Sequence, residues 1–112
     1  MRSIEDIIVK ESSSVIEVLK IIDESSKQLA LVVNDNNKLL GTISDGDIRR
    51  ALLKKISLNE SVKNIYFKKP TVASINDSRE EIINLCKIKK IHQIPIVDNK
   101  GNLIGIEVLN EL

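Results

Sequence analysis

The chain repeats itself. A shift of 64 positions lays Ser78 on Ser14, Glu81 on Glu17, Val97 on Val33, Leu103 on Leu39 and Gly105 on Gly41, with no gap between residues 7 and 112. Apolar positions coincide as well: Val18 with Ile82, Leu19 with Ile83, Ile21 with Leu85, Val32 with Ile96. Self-similarity at a fixed offset means one supersecondary unit built twice. A pseudo-symmetric object of this kind commonly holds ligands where its copies meet.

Each copy opens with a helix signature. Ser14-Val15-Ile16-Glu17 and Ser78-Arg79-Glu80-Glu81 read as capping boxes, in which the hydroxyl accepts from a first-turn amide and the glutamate reaches back to the capping residue. Behind the first, Val15, Val18, Leu19 and Ile22 fall at i, i+3, i+4 and i+7, one apolar stripe on a helix. Ile82, Ile83, Leu85 and Cys86 do the same behind the second. Buried-strand runs follow at Leu29–Val33 and Ile94–Val97, bounded by the turn formers Asn34–Asn37 and Asp98–Gly101. A second strand comes next, at 39–43 or 103–107, and Pro95 calls for a strand start or a place that needs no ladder donor. In copy one a helix then runs from about Asp45 through Leu53. Each copy is therefore helix, strand, strand, helix, an α/β (α+β) unit led in by a short extended stretch at 7–9 or 71–73. The boundaries read as repeat 1 at 1–56, a connecting segment at 57–70 and repeat 2 at 71–112, its last helix truncated. The connecting segment is too apolar for a free linker and is expected to pack as a short helical turn.

Composition removes several function classes. Lys+Arg 17 against Asp+Glu 16 leaves a net charge of +1, and Tyr66 and Phe67 are the only aromatics, so neither a polyanion field nor a stacking platform for nucleic acid is built in. No apolar run approaches the ~20 residues of a membrane helix, the first residues lack a signal peptide's apolar core, and a cytoplasmic protein is expected. Cys86, the sole cysteine, lies in the helical apolar stripe and reads as a small core residue. No nucleophile-base pair, Walker loop or metal-ligand spacing occurs, so no catalytic residue and no metal site is assigned.

One stretch carries chemistry: Gly41-Thr42-Ile43-Ser44-Asp45-Gly46-Asp47-Ile48-Arg49-Arg50. A strand ends in a hydroxyl, and a helix opens with an acid in its first turn. Amides at a helix N-terminus favour phosphate. Ser44 can add a hydrogen bond, Gly46 permits close approach, Asp47 suits the two hydroxyls of a ribose, and Arg49 or Arg50 can supply charge to a phosphate tail. The bland alternative is that Ser44 and Asp47 simply cap the helix and the arginines are a solvated face. Asp45-Gly46-Asp47 hints at a calcium loop, but the rest of that ligand set is missing.

At these residues the chain resembles a tandem CBS-domain pair, and the resemblance covers residues 4–112. It implies two repeats related by a pseudo-twofold axis, sheets packed between helices, an adenine or other purine nucleotide (AMP, ADP or ATP) bound in the inter-repeat cleft, and a homodimer. Carried over by position, Ser44 and Asp47 match the phosphate/ribose pair, with Thr42 and Gly46 in the same motif. Gln28, Val72, Ile91 and His92 fall where the family lines its base pocket. In copy two, Val108 stands at the Ser44 position and Glu111 at the Asp47 position, so one competent site is expected. The strings Leu39–Leu53 and Ile91–Asp98 are similar to regulatory modules at the N-terminus of sugar-phosphate nucleotidyltransferases. That likeness implies a catalytic domain after Leu112 and a regulatory, non-catalytic role for these residues. The competing reading is a structural dimerisation module whose nucleotide site has decayed.

Overall fold

The repeat of the sequence reappears in the backbone of the computed structural model, which describes residues 1–25 and 27–112. The elements are β1 (Ile8–Val9), α1 (Val15–Glu24), β2 (Leu29–Val33), β3 (Leu39–Ser44), α2 (Asp45–Leu53), β4 (Ala73–Ser74), α3 (Arg79–Lys89), β5 (Gln93–Val97) and β6 (Leu103–Val108), with 3₁₀ turns at Val62–Asn64 and Leu109–Glu111. They form two three-stranded sheets, ordered β1-β2-β3 and β4-β5-β6, each with one parallel and one antiparallel pair. The hairpin strands begin and end at matching positions because their turns are built alike. The Asn34 Oδ1 accepts from the amides of Asn36 and Lys38, and the Asp98 Oδ1 from those of Lys100 and Asn102. The left-handed residue each turn needs is Asn37 in one and Gly101 in the other.

Pro95 breaks the symmetry at one place. In the first repeat the Leu31 amide donates to the Ile7 carbonyl at 2.8 Å. Pro95, the counterpart of Leu31, has no N–H to give. Pairing of β4 accordingly starts at Ala73↔Ile96, where the first repeat has already paired Ile8↔Leu31. The lead-in read at 71–73 thus moves to Ala73–Ser74, and Pro95 sits inside β5 rather than at its start.

The chain divides into two compact units, Glu5–Pro70 and Met1–Ile4 with Thr71–Leu112. Residues 1–4 group with the second repeat, and residues 57–70 group with the first. The cause is the outer edge of each sheet, whose unpaired backbone groups need partners. Along β3, Thr42 and Phe67 exchange both backbone hydrogen bonds, at 3.1 and 2.8 Å. Along β6, Ile106 and Arg2 do likewise, at 3.2 and 2.8 Å. Each edge is covered by the segment that leads into the other repeat.

The connecting segment also alters the start of α1. Val15 and Ile16 donate their amides to the carbonyls of Glu60 and Leu58, and Val62 donates to that of Ser13. At Ser14 only the hydroxyl half of the expected capping box forms, whereas Ser78 and Glu81 form the full reciprocal pair. The first core gathers Val15, Val18 and Ile22 of α1, Ala30 and Val32 of β2, Ile43, Ile48, and Val62 and Tyr66 from the connecting segment. The second gathers Ala73, Ile82, Cys86, Ile94 and Ile96. Each fully buried Val or Ile is worth roughly 1.5–3 kcal/mol against exposure. Burial pushes the Cys86 thiol above its ordinary range, as suits a packing residue.

Close approach of the edge segments requires glycine. A Cβ on Gly41 would run into the Phe67 carbonyl and the Tyr66 ring; one on Gly105 would meet the Met1 side chain at 2.5 Å and the Arg2 carbonyl at 3.2 Å. A backbone carbonyl cannot step aside, but the Met1 side chain is exposed and can. Gly41→Ala is expected to lower stability by about 1–3 kcal/mol in a urea melt, and Gly105→Ala by distinctly less; equal losses would refute this account. Tyr66 donates its hydroxyl to Glu11 at 2.8 Å, and that bond, with burial and the nearby carboxylate, raises its pKa above 10.0. A pKa raised on folding stabilises fully below the unfolded value and is lost as pH climbs through the folded one. Between pH 10 and the folded value, wild-type stability should therefore fall more steeply than that of Tyr66→Phe, as followed by denaturant melts at stepped pH.

Candidate functional site

The geometry of the site follows from where β3 stops. Ser44 is its last residue, paired with Leu29, and is at the same time the N-cap of α2. The Ser44 Oγ accepts from the Asp47 amide at 3.2 Å, while the Asp47 Oδ2 accepts from the Ser44 amide at 2.9 Å and from the Ser44 hydroxyl at 3.0 Å. This reciprocal lock fixes the carboxylate at the head of the helix. Its other oxygen, Oδ1, accepts from Arg50 Nη2 at 2.9 Å. A carboxylate oxygen has two acceptor positions, so Oδ1 keeps one open while Oδ2 is filled.

Gly46 has a definite part in this arrangement. A Cβ there would lie 3.2 Å from Arg50 Nη1, so the bare backbone gives the guanidinium room to lie close over the first turn. Arg49 points elsewhere: its Nη2 donates to Asp45 at 2.8 Å, an exposed i,i+4 pair. Asp47, Arg50 and Lys54 form one wall of a cleft of about 380 Å³. Its apolar lining is Ala51, Ile56 and Ile65, with Glu60, Ser61 and Asn64 from the connecting segment.

The structure brings Ser44, Gly46, Asp47 and Arg50 together in the first unit; Thr42 and Gln28 lie elsewhere in that unit, and Val72, Ile91 and His92 belong to the second. Thr42 lies two residues back along β3, on the same face as Ser44, its backbone used by Phe67. Gln28, exposed and left-handed (φ 57°), lines a different cleft of about 500 Å³ with Leu19, Ile22, Asp23, Ser25 and Asp45. In the second unit, Val72 precedes β4 and is 36% exposed. Ile91 packs on that unit's core and donates its amide to the Cys86 carbonyl. His92 is exposed, and its carbonyl accepts from the Leu109 amide at 2.8 Å.

The second unit treats the counterpart position differently. Val108 offers no side-chain cap to the turn that follows. Glu111 is held by Arg2, whose Nε lies 2.6 and 2.9 Å from its two oxygens. Sequence reasoning weighed both adjacent arginines, carried Arg49 forward as the site residue and set Lys54 aside with a solvated helix face. The i,i+3 step from Asp47 to Arg50 and the i,i+7 step to Lys54 were the available signal, since both spacings lie on one helical face. Among the described residues no group of three His, Cys, Asp or Glu could hold a metal ion, and no helix is long and apolar enough to cross a membrane.

Comparison with known proteins matches the chain to the CBS domain over residues 1–54 and 62–106. An uncharacterized protein of Helicobacter pylori J99 is 38% identical over 95 residues, covering 82% of this chain and 29% of that protein. A probable arabinose 5-phosphate isomerase of Haemophilus influenzae is 30% identical over 92 residues, covering 80% of this chain and 27% of that one. The chain thus spans less than a third of the length of these relatives. Among solved structures, CBSX2 in complex with AMP superposes with a TM-score of 0.79 at 28% identity, covering 92% of this chain and 81% of that one.

The cap contributes to stability with or without a ligand. Ser44→Ala should cost about 1 kcal/mol in chemical denaturation of the free protein. Val108→Ala, at the position with no cap to lose, is expected to change stability less; a loss equal to that of Ser44→Ala would show that the lock is not what Ser44 supplies.

Proposed function

Since the chain belongs to the CBS domain family, we propose that it is a regulatory module that binds one adenine nucleotide at its first repeat. The observation that carries this reading is the Asp47 carboxylate, locked in place by Ser44 with one acceptor position open and a guanidinium beside it. A ribose needs an oriented acceptor, and a phosphate needs a cation and helix-start amides. The AMP bound to CBSX2, a relative at 28% identity, supports the ligand class. Gln28, Val72, Ile91 and His92 remain candidates for the base on the family pattern, Thr42 stays with the phosphate/ribose motif, and Arg49 yields its phosphate role to Arg50.

Binding regulates only if the ligand prefers one conformation of the protein over another. The controlled enzyme, in this reading, acts on a sugar phosphate. The nucleotidyltransferase-like strings point to that substrate class, and the probable arabinose 5-phosphate isomerase among the relatives supports it. A cytoplasmic homodimer completes the proposal. A second reading, a structural dimerisation module with a decayed site, draws support from the same lock: Ser44 and Asp47 satisfy each other without any ligand.

Thermal melting separates the two. A nucleotide at 100 times its Kd stabilises by about 2.7 kcal/mol, which for a chain of this size raises Tm by roughly 10 °C. AMP, ADP or ATP should produce such a shift in the wild type, Asp47→Ala should abolish it, and Val108→Ala should leave it unchanged. If none of the three moves Tm at millimolar concentration, the structural reading stands in its place.

A further inference from the structure

Arg50 stands in the last turn of α2, but its guanidinium does not stay at that end. Cations are favoured at helix C-termini and disfavoured at the start, where the free amides carry partial positive charge. Yet the Arg50 guanidinium folds back over the first turn of α2, within 3.2 Å of where a Gly46 Cβ would be, and takes Asp47 Oδ1 at 2.9 Å. Its neighbour Arg49 pairs with Asp45 on the exposed face and leaves the cleft. The Arg50 side chain is 66% exposed, and an exposed pair of this kind shifts an equilibrium by only about a factor of two. The guanidinium is thus parked beside the site on a weak tether.

Resting on the nucleotide reading above, we propose that Arg50 is an exchangeable counter-ion that makes the site select phosphorylated nucleosides over bare ones. In the free protein Arg50 neutralises Asp47 and occupies one acceptor position of Oδ1. A nucleotide brings two groups together: a pair of ribose hydroxyls, one for the open position of Oδ1 and one for the position Arg50 holds, and a phosphate, which takes the guanidinium. The ion pair given up with Asp47 is replaced by a stronger, charge-assisted one with the phosphate. A nucleoside offers only the first group. It must displace Arg50 from Oδ1 and leaves the guanidinium without an anion in return. Gly46 eases the arrangement, because a Cβ there would make the guanidinium give way by a few tenths of an ångström.

Isothermal titration with AMP and with adenosine, on wild type, Arg50→Ala, Arg50→Lys and Arg49→Ala, tests this. Wild type should prefer AMP over adenosine. In Arg50→Ala the AMP Kd should rise about 10- to 100-fold, the range of one charged hydrogen bond, while the adenosine Kd does not rise. Arg50→Lys should restore part of the preference, and Arg49→Ala should keep it within about twofold. Melting of the unliganded Arg50→Ala protein near the wild-type Tm confirms that it is folded. Equal weakening of AMP and adenosine in Arg50→Ala would overturn the proposal, since it would mark Arg50 as a mere support for Asp47. An undiminished AMP preference in that variant would overturn it too, while leaving the nucleotide reading intact. Wild type that binds neither ligand would end both together.

Discussion

The Ser44–Asp47 lock is the interaction on which the site depends, because it joins a strand to a helix with no intervening loop. The Ser44 backbone is the last rung of the β2–β3 ladder, and its side chain is the first cap of α2. The helix therefore leaves the sheet at an angle set by one residue, and Asp47 inherits its position from the ladder rather than from a mobile segment. A group so held loses little freedom on meeting a ligand, which is what preorganisation contributes to binding. Under the proposed reading the same lock serves stability and recognition, so capping alone need not exhaust the part played by this hydroxyl and carboxylate.

The ladder that positions Ser44 needs its outer edge closed, and the means used is economical in sequence. Gly41 and Gly105 are the bare positions that admit a crossing segment, Tyr66–Phe67 against the first and Met1–Arg2 against the second. The two contacts are alike in backbone pairing but differ in what anchors them. Tyr66 is buried in the core and donates to Glu11, so the first edge is held by packing. The second edge adds ion pairs, Arg2 with Glu111 between partly exposed side chains and the Met1 amino group with the more covered Glu107. Packing is insensitive to salt and ion pairs at the surface are not. The first repeat, which carries the candidate site, has the more robust edge.

Much of this was legible in the sequence, for reasons that can be named. The hairpins could be placed because alternating turn formers and apolar runs determine strand limits locally, and the starts of α2 and α3 because capping residues announce them. The crossed edge segments could not. Arg2 and Ile106 pair across almost the whole chain, and nothing in the two-residue pattern Met1-Arg2 marks it as a strand partner. The start of α1 was hidden for the same reason: carbonyls of Glu60 and Leu58, distant in sequence, accept from the Val15 and Ile16 amides that a local capping box leaves free. Pro95 was half legible. Its missing donor was evident, but the one-residue retreat of β4 follows only once Leu31 is seen to use that donor in the other repeat.

The comparison of Asp47 with Glu111 sharpens why a duplicated fold need not carry a duplicated site. Both carboxylates hold an arginine, so charge alone does not separate them. What separates them is where the arginine comes from and what else grips the acid. Arg50 lies three residues along the same helix, is free to turn, and shares Asp47 with a hydroxyl that fixes the carboxylate independently. Arg2 belongs to the segment that closes the edge of β6, and no side-chain cap at Val108 would hold Glu111 in its absence. Withdrawing Arg50 from Asp47 leaves the acid where it was. Withdrawing Arg2 from Glu111 disturbs both the acid and a strand edge. Under the proposed reading, a ligand that exchanges with a resident arginine meets a low barrier in the first repeat and a structural cost in the second, and that difference favours a single site.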